Sequence, residues 1–178
     1  AYIMTHPELQ QRNTRISWPQ LAQILGGESP GLALRPMHRL GLLVDILPEL
    51  RAIDSLVVRD FYHRYTVDEH SLRTIEHLQE LAEPTDPCGT HFVPLWRTVE
   101  RRDLLILSLL LHDIGKGMPV VNHVTGSLQA LETVADRLKL TPEEKEEVSF
   151  LIEHHLDMSA TVQRRDIFDP GAVSAFAE

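Results

Sequence analysis

The stretch LLILSLLLHDIGKG at residues 104–117 decides the fold that this sequence predicts. Its first eight residues are apolar except for Ser108, and a helix that is apolar on nearly all sides packs inside a protein core. We expect one helix from about Leu95 to Asp113, with Gly115 as its C-terminal cap. The apolar run is too short to span a bilayer, which takes about 20 residues. The sequence therefore predicts a buried central helix ending in a His-Asp pair, and no membrane association.

Helical spacing recurs on both sides of this stretch, and no sustained alternation of polar and apolar residues indicates a strand. The other expected helices cover residues 18–25, 35–43, 47–54, 68–83, 123–138, 142–156 and a last segment from 170 onwards. Residues 26–36 hold three Gly and two Pro and are typical of a loop. The predicted fold class is all-α, with an N-terminal extension or linker at 1–31 and one domain at 32–178.

Composition and charge exclude several classes of protein. The single cysteine, Cys88, rules out a disulfide framework and favours a cytoplasmic location. The formal net charge of −9 argues against a long nucleic-acid partner, because proteins that bind many phosphates are usually basic. The first residue is Ala1 and a helical pattern continues to Glu178, so we expect a fragment of a longer protein.

Ten histidines are the feature of the composition that points to a function. Taken alone, His112-Asp113 is equally consistent with a metal site and with a buried hydrogen-bonded pair, since charged groups at a buried helix end need a partner. His123, just inside the next predicted helix, favours a metal site. On the helix after that, His155 continues the apolar stripe, whereas His154 lies beside it. Imidazole and carboxylate ligands of this kind suit Mn, Fe, Zn or Mg.

The order of six potential ligands resembles that of the two-metal branch of the HD phosphohydrolase superfamily. These residues are His70, His112, Asp113, His123, His155 and Asp166. The strings YTVDEHSLR at 65–73 and QRRDI at 163–167 are similar to the HD domain of the GlnD family of bifunctional uridylyltransferase/uridylyl-removing enzymes. This resemblance covers about residues 32–178 and implies an all-α HD-domain helical bundle. Signatures of that family's nucleotidyltransferase and ACT domains do not occur in these residues, so we expect the hydrolase part only.

The resemblance also implies one or two divalent ions, most simply Mn or Mg, with Fe or Zn as alternatives. Ligands of one ion would be His70, His112, Asp113 and Asp166. Ligands of the second would be His123 and His155, with Asp113 bridging the two ions. Asp169 is the alternative to Asp166 as the last ligand.

Asp113 and Lys116 are the candidate catalytic residues. Lys116 follows the His-Asp pair closely and could contact a phosphate, although a lysine there also complements a helix dipole. Arg164 and Arg165 are further candidates for a phosphate contact, and a solvated surface role is the alternative for both. Asp68 or Glu69 could support a ligand from outside the metal site, although acids are common at helix starts.

The activity implied by the resemblance is removal of UMP from the uridylylated PII signal protein, which would be the partner of this chain. Two alternatives stay open. One is a free-standing HD phosphohydrolase that acts on a small nucleotide, and the other is a degenerate HD domain used for binding or regulation. The domain content of the full gene would separate the first two, and the metal content of purified protein would test the third.

Overall fold

A computed structural model of the chain describes residues 16–58, 64–82, 84, 87–164, 166 and 169–177. These residues form helices and loops and include no strand, which confirms the all-α prediction. No helix among them combines the length and the apolar composition that a membrane span requires.

The α-helices are named in chain order. They are α1 (Trp18–Leu25), α2 (Pro30–Arg39), α3 (Leu42–Ile46), α4 (Val67–Glu80), α5 (Val93–Thr98), α6 (Arg102–Leu111), α7 (His123–Leu138), α8 (Pro142–His154), α9 (Asp157–Arg164) and α10 (Pro170–Ala177). Short 3-10 helices cover Pro48–Ala52, Pro87–Phe92 and Ile114–Gly117.

Helix α6 is the central element of the fold, as the sequence predicts. It packs against α1, α4, α7 and α8. Its side chains at Leu104, Ile106, Leu107 and Leu111 are fully buried. Burying one such side chain stabilises a fold by about 1.5–3 kcal/mol, so α6 anchors the bundle. Both ends of α6 consequently hold polar residues in fixed positions close to the core.

The prediction of one continuous helix from Leu95 to Asp113 is wrong. The chain forms α5 and α6 separately, because Val99 has extended backbone angles after α5. Arg101 then pairs with Asp103 and with Glu144 of α8, and this tertiary contact fixes the chain direction at the start of α6. The expected cap at Gly115 is also wrong, since α6 ends at Leu111 and Gly115 lies in the following 3-10 helix.

The loop predicted at residues 26–36 is helical from Pro30 onwards, which is a second correction. Proline suits the first position of a helix, where its missing N–H would have had no helical partner. The Gly31 amide donates to Gln79 Oε1 of α4 at 2.6 Å, so the glycine permits a close approach of α2 and α4. Within the range expected to be an extension or linker, Leu21 and Leu25 are fully buried against the core.

The caps of α7 and α8 agree with the sequence prediction. The Asn122 side chain accepts a hydrogen bond from the Val124 amide at 2.9 Å, at the start of α7. Thr141 and Glu144 form the reciprocal capping box that opens α8. These caps determine where the two helices begin, and therefore where their histidines lie. Helix α9, which the sequence analysis did not predict, follows α8 directly.

Candidate metal centre

The carboxylate of Asp113 lies at the centre of a cluster of basic side chains just beyond the end of α6. Its Oδ2 atom is 2.8 Å from Lys116 Nζ, 3.3 Å from His112 Nε2 and 3.9 Å from His70 Nε2. Its Oδ1 atom is 3.7 Å from His123 Nε2. Only 3% of the Asp113 side chain is exposed, so these neighbours replace water around the charge.

The turn that carries Asp113 is held against α7 by a buried hydroxyl group. Ser127 Oγ donates to the His112 carbonyl at 2.6 Å and accepts from the Gly115 amide at 3.0 Å. A Cβ atom at Gly115 would lie 1.9 Å from the His123 carbonyl oxygen, so only glycine fits there. Ser127 is on the same face of α7 as His123, one turn later. The turn and the His123 side chain are therefore fixed relative to each other.

Backbone carbonyl groups orient two of the histidine rings. His112 Nδ1 donates to the Leu109 carbonyl at 2.8 Å, and His155 Nδ1 donates to the Ile152 carbonyl at 2.6 Å. A proton held on Nδ1 leaves the lone pair on Nε2, the state in which imidazole binds a metal. Both rings thus present a ligand atom towards the cluster.

Two groups of potential ligands share the Asp113 carboxylate. The first is His70, His112 and Asp113, and the second is Asp113, His123 and His155. In each group the ligand atoms lie within 4.8 Å of one another. The His112 and His155 rings are 5.1 Å apart, so the two groups form one continuous centre.

Two buried atoms at this centre have no hydrogen-bond partner within the described residues. They are Asp113 Oδ1 and His123 Nε2. Buried polar atoms nearly always have a partner, because leaving one unpaired costs about 1–3 kcal/mol. Both are good metal ligands, and their separation of 3.7 Å is within the span of about 4.4 Å that two ligands of one ion can bridge. The side chains here therefore fit a divalent ion.

The electrostatics of the centre shift the pKa values of Asp113, His123 and His155. Burial would raise the pKa of Asp113, but the hydrogen bonds and charges of His112 and Lys116 outweigh it and hold that pKa well below its usual range. Burial lowers the pKa of His123, and the charges of Lys116 and His155 lower it further against the opposing effect of Asp113. Burial likewise lowers the pKa of His155. The Asp113 carboxylate thus stays ionised, and the lowered pKa values of His123 and His155 favour their neutral, metal-binding form.

A cavity of about 510 Å³ opens onto the centre. Half of its lining residues belong to the cluster around Asp113, and we call this part of the lining its floor: His70, His112, Asp113, Lys116 and His155. Five further residues line its walls, namely Arg64, Tyr65, Leu156, Ser159 and Gln163. Small-molecule sites typically have volumes of roughly 300–1,000 Å³, so a nucleotide-sized group fits.

The remaining predicted residues belong to neither group of potential ligands. His154 is exposed, pairs with Asp157 at 2.7 Å and packs against Phe150. Asp166 and Asp169 are exposed and belong to neither ligand group, so the choice between them as last ligand stays a prediction.

The flanking candidates make contacts of their own. Asp68 pairs with His38 at 3.1 Å, and Glu69 pairs with Arg73 at 2.7 Å. Arg164 is exposed at the end of α9, and Arg165 lies outside the described residues.

The sequence analysis missed Ser127 and the wall residues on α9. Ser127 has a signal in the sequence, since it is a small polar residue one turn after His123 on the helix face that points inwards. Gln163 begins the QRRDI string quoted above but was not assigned a role, and the position of Ser159 in the cavity lining depends on α9, which was not predicted.

Comparison with known proteins agrees with this geometry. The family model described as "HD domain" matches residues 67–170, which include every residue of the centre. A bifunctional uridylyltransferase/uridylyl-removing enzyme from Vibrio parahaemolyticus is 38% identical over 144 residues, covering 80% of this chain and 16% of the relative. Enzymes of the same description from Ruegeria pomeroyi and Cereibacter sphaeroides are each 38% identical, over 84% and 89% of this chain and 16% and 17% of their own lengths. The chain thus spans about a sixth of these relatives.

Proposed function

This chain belongs to the HD domain family, and from that premise we propose that it hydrolyses a phosphodiester at the centre around Asp113. The observation that carries the proposal is the pair of buried ligand atoms without partners, Asp113 Oδ1 and His123 Nε2. Buried polar atoms are rarely left unpaired, so two unpaired ligand atoms 3.7 Å apart support a bound ion.

We assign the ligands by the two groups that share Asp113. His70 and His112 would hold one ion, with Asp166 as its proposed further ligand, and His123 and His155 would hold the other. Mn or Mg are the proposed ions, with Fe or Zn as alternatives, because mixed imidazole and carboxylate ligands accept all four. Bound divalent ions lower the pKa of a coordinated water and neutralise phosphate oxygens.

The protein residues have separate tasks in this proposal. Asp113 stays ionised because His112 and Lys116 stabilise its charge, so it remains a ligand at neutral pH. The ammonium group of Lys116 lines the cavity and can offset negative charge on a bound phosphate. Ser127 and Gly115 keep the turn in place, so that the ligand atoms are positioned before substrate binds.

The proposed substrate is the uridylylated PII signal protein, and the product is UMP. Support comes from relatives that are described as uridylyl-removing enzymes and are 38% identical to this chain. The chain covers only 16% of such a relative, so further parts of the full protein could contribute to substrate binding. A free small nucleotide is the alternative substrate.

The test compares the wild-type protein with Asp113→Asn and with a control, Asp157→Asn. Asp157 is an exposed carboxylate that pairs with His154 outside the centre. With Mn present, the 178-residue chain and its full-length parent should release UMP from uridylylated PII, and Asp113→Asn should stop this. Hydrolysis of free nucleotides alone would reject PII as substrate. Equal activity of Asp113→Asn and wild type would reject the centre.

A further inference from the structure

We propose that Tyr65, Ser159 and Gln163 form a subsite for the nucleobase of a nucleotidyl substrate, in the cavity wall above the Asp113 centre. This inference rests on the proposed function and adds how the nucleoside would be recognised. All three residues line the cavity that the centre opens into. They come from two separate segments, the residues before α4 and helix α9.

The Tyr65 ring is held in place on one side by a guanidinium group. Arg73 Cζ lies 4.3 Å from the ring centroid, a cation–π arrangement. Arg73 is itself fixed by Glu69 at 2.7 Å, and Glu69 also accepts a hydrogen bond from Arg35 of α2. These contacts therefore restrict the orientation of the Tyr65 ring, although Tyr65 remains 43% exposed. A fixed ring with exposed surface is what stacking on a nucleobase requires, since every base has a flat π-face.

Helix α9 provides polar groups in the wall of the same cavity. Ser159 and Gln163 are four residues apart, so they share one face of the helix, and Gln163 Nε2 donates to Ser159 Oγ at 3.4 Å. A carboxamide offers a donor and an acceptor together. The Watson–Crick edge of a pyrimidine base presents one acceptor and one donor side by side, which the Gln163 carboxamide can match.

The charges and size of the cavity agree with a nucleotide. Arg64 and Lys116 are the cationic side chains that line it, and both can offset phosphate charge. The volume of about 510 Å³ is sufficient for a nucleoside monophosphate group. A phosphate at the floor and a base at the wall would thus occupy the cavity together.

The experiment measures the dissociation constants of UMP and ribose 5-phosphate by calorimetry, with the Mn-loaded 178-residue chain. The ratio of the two constants isolates the contribution of the base, because both compounds carry the same sugar phosphate. We expect UMP to bind wild type at least about tenfold more tightly, in line with one stacked base. Tyr65→Ala should bring the ratio close to one while leaving ribose 5-phosphate binding within about twofold, and Tyr65→Phe should keep the ratio.

Further variants separate a loss of base stacking from a general loss of folding. Gln163→Ala should reduce the preference for UMP over ribose 5-phosphate, whereas Phe150→Ala should leave it unchanged, because Phe150 is an exposed aromatic residue outside the cavity. Arg73→Gln keeps the Tyr65 side chain but removes its cation–π partner. We expect this variant to lose part of the preference for UMP over ribose 5-phosphate, and it tests the subsite even if Tyr65→Ala folds poorly. Thermal unfolding of every variant provides the folding check.

The outcomes distinguish this inference from the proposed function. Three results would each overturn the subsite, whether or not diesters are hydrolysed. Wild type could bind UMP and ribose 5-phosphate equally, it could bind neither, or Tyr65→Ala could weaken the binding of both equally. A base advantage that depends on Tyr65 in a protein that hydrolyses no diester would support the subsite and reject the proposed function.

Discussion

Two polar clusters lie at opposite ends of α6, and they differ in how completely the oxygens of their central carboxylates are paired. At the start of the helix, Glu144 Oε1 accepts hydrogen bonds from Trp18 Nε1 at 3.0 Å and from Arg101 Nη2 at 2.7 Å. Its Oε2 atom accepts one from the Thr141 amide at 3.0 Å. We call this group, together with Asp103, the Glu144 cluster. It joins α1, α6 and α8, and both oxygens of its central carboxylate are satisfied.

The Asp113 cluster at the other end of α6 is similar in chemistry but incomplete. It comprises His70, His112, Asp113, Lys116, His123 and His155. Asp113 Oδ1 and His123 Nε2 remain without a partner, although both are buried. Complete pairing is what stability requires, whereas unpaired ligand atoms in a fixed arrangement are what binding requires. The comparison therefore supports a role in stability for the Glu144 cluster and the proposed metal binding for the Asp113 cluster.

The largest expected effect is the loss of hydrolysis in Asp113→Asn. This change keeps the shape of the side chain but removes the charge that both ligand groups share, so UMP release should fall by more than about a hundredfold. Replacing partners outside the ligand set of a metal site already costs about 10–100-fold. The thermal midpoint should fall slightly, because Asn lacks the charge that pairs with Lys116, while Lys116 itself still lines the open cavity. A fall in stability as large as that of a core mutation would mean that Asp113 is chiefly structural.

The second effect compares two adjacent histidines at the end of α8. His155→Ala should lower hydrolysis about tenfold or more, since His155 belongs to a ligand group. His154→Ala should change the rate by less than about twofold, because His154 is exposed and pairs with Asp157. Steady-state rates with excess Mn provide the measurement. Equal losses, or a greater loss for His154→Ala, would show that the helix face is assigned wrongly.

A third, intermediate effect is expected for Ser127→Ala. The change removes the hydroxyl that bridges the His112 carbonyl and the Gly115 amide. Leaving these buried groups unpaired should lower the free energy of unfolding by about 1–3 kcal/mol and weaken Mn binding about tenfold. Denaturant unfolding and Mn titration of the same sample measure both. Unchanged Mn affinity with reduced stability would confine Ser127 to the fold.

For the Glu144 cluster we expect a loss of stability without a loss of metal binding or hydrolysis. Glu144→Gln should reduce the free energy of unfolding by about 1–2 kcal/mol, because charge-assisted hydrogen bonds to Trp18 and Arg101 are weakened. Metal content and hydrolysis should not change. Glu143→Gln, at an exposed position in the same first turn of α8, is the matched control. Loss of metal in Glu144→Gln would remove the distinction between the two clusters.

The smallest expected effect is a pH dependence of the difference in unfolding free energy between wild type and Glu144→Gln. Burial raises the pKa of Glu144, but the Thr141 amide, Trp18 and Arg101 outweigh it and lower the pKa below the usual value. A carboxyl whose pKa is lower in the folded state stabilises the fold above its unfolded pKa, about 4.3, and loses that contribution as the pH falls through its folded pKa. The difference between wild type and Glu144→Gln should therefore be constant near neutral pH and shrink below about pH 4. A difference that grows on acidification would contradict the assignment.

The parts of the fold that were predictable from the sequence depend on local chemistry. The apolar run of α6 indicated burial, and the caps at Asn122 and Thr141 indicated where α7 and α8 begin. The errors occur where distant residues decide the local structure. The break in the helix before α6 depends on the hydrogen bond between Arg101 and Glu144. The start of α2 depends on the hydrogen bond between Gly31 and Gln79.

The candidate site also has residues whose positions local periodicity predicts and residues whose positions it does not. Helical periodicity predicted that His155 rather than His154 faces the centre, and His155, the C-cap of α8 with helical backbone angles, belongs to a group of potential ligands. The position of Asp166 after α9 has no periodicity to fix it, and that residue is exposed and outside both ligand groups. The role of Asp166 as a ligand stays a prediction.

The metal content of the purified chain tests the central claim most directly. Wild type, Asp113→Asn and Glu144→Gln are dialysed against Mn, separated from free ions and analysed by mass spectrometry for Mn per chain. We predict one or two ions per chain in wild type and in Glu144→Gln, and less than about a tenth of that content in Asp113→Asn. Equal Mn in all three proteins, or none in wild type, would contradict the assignment of metal binding to the Asp113 cluster.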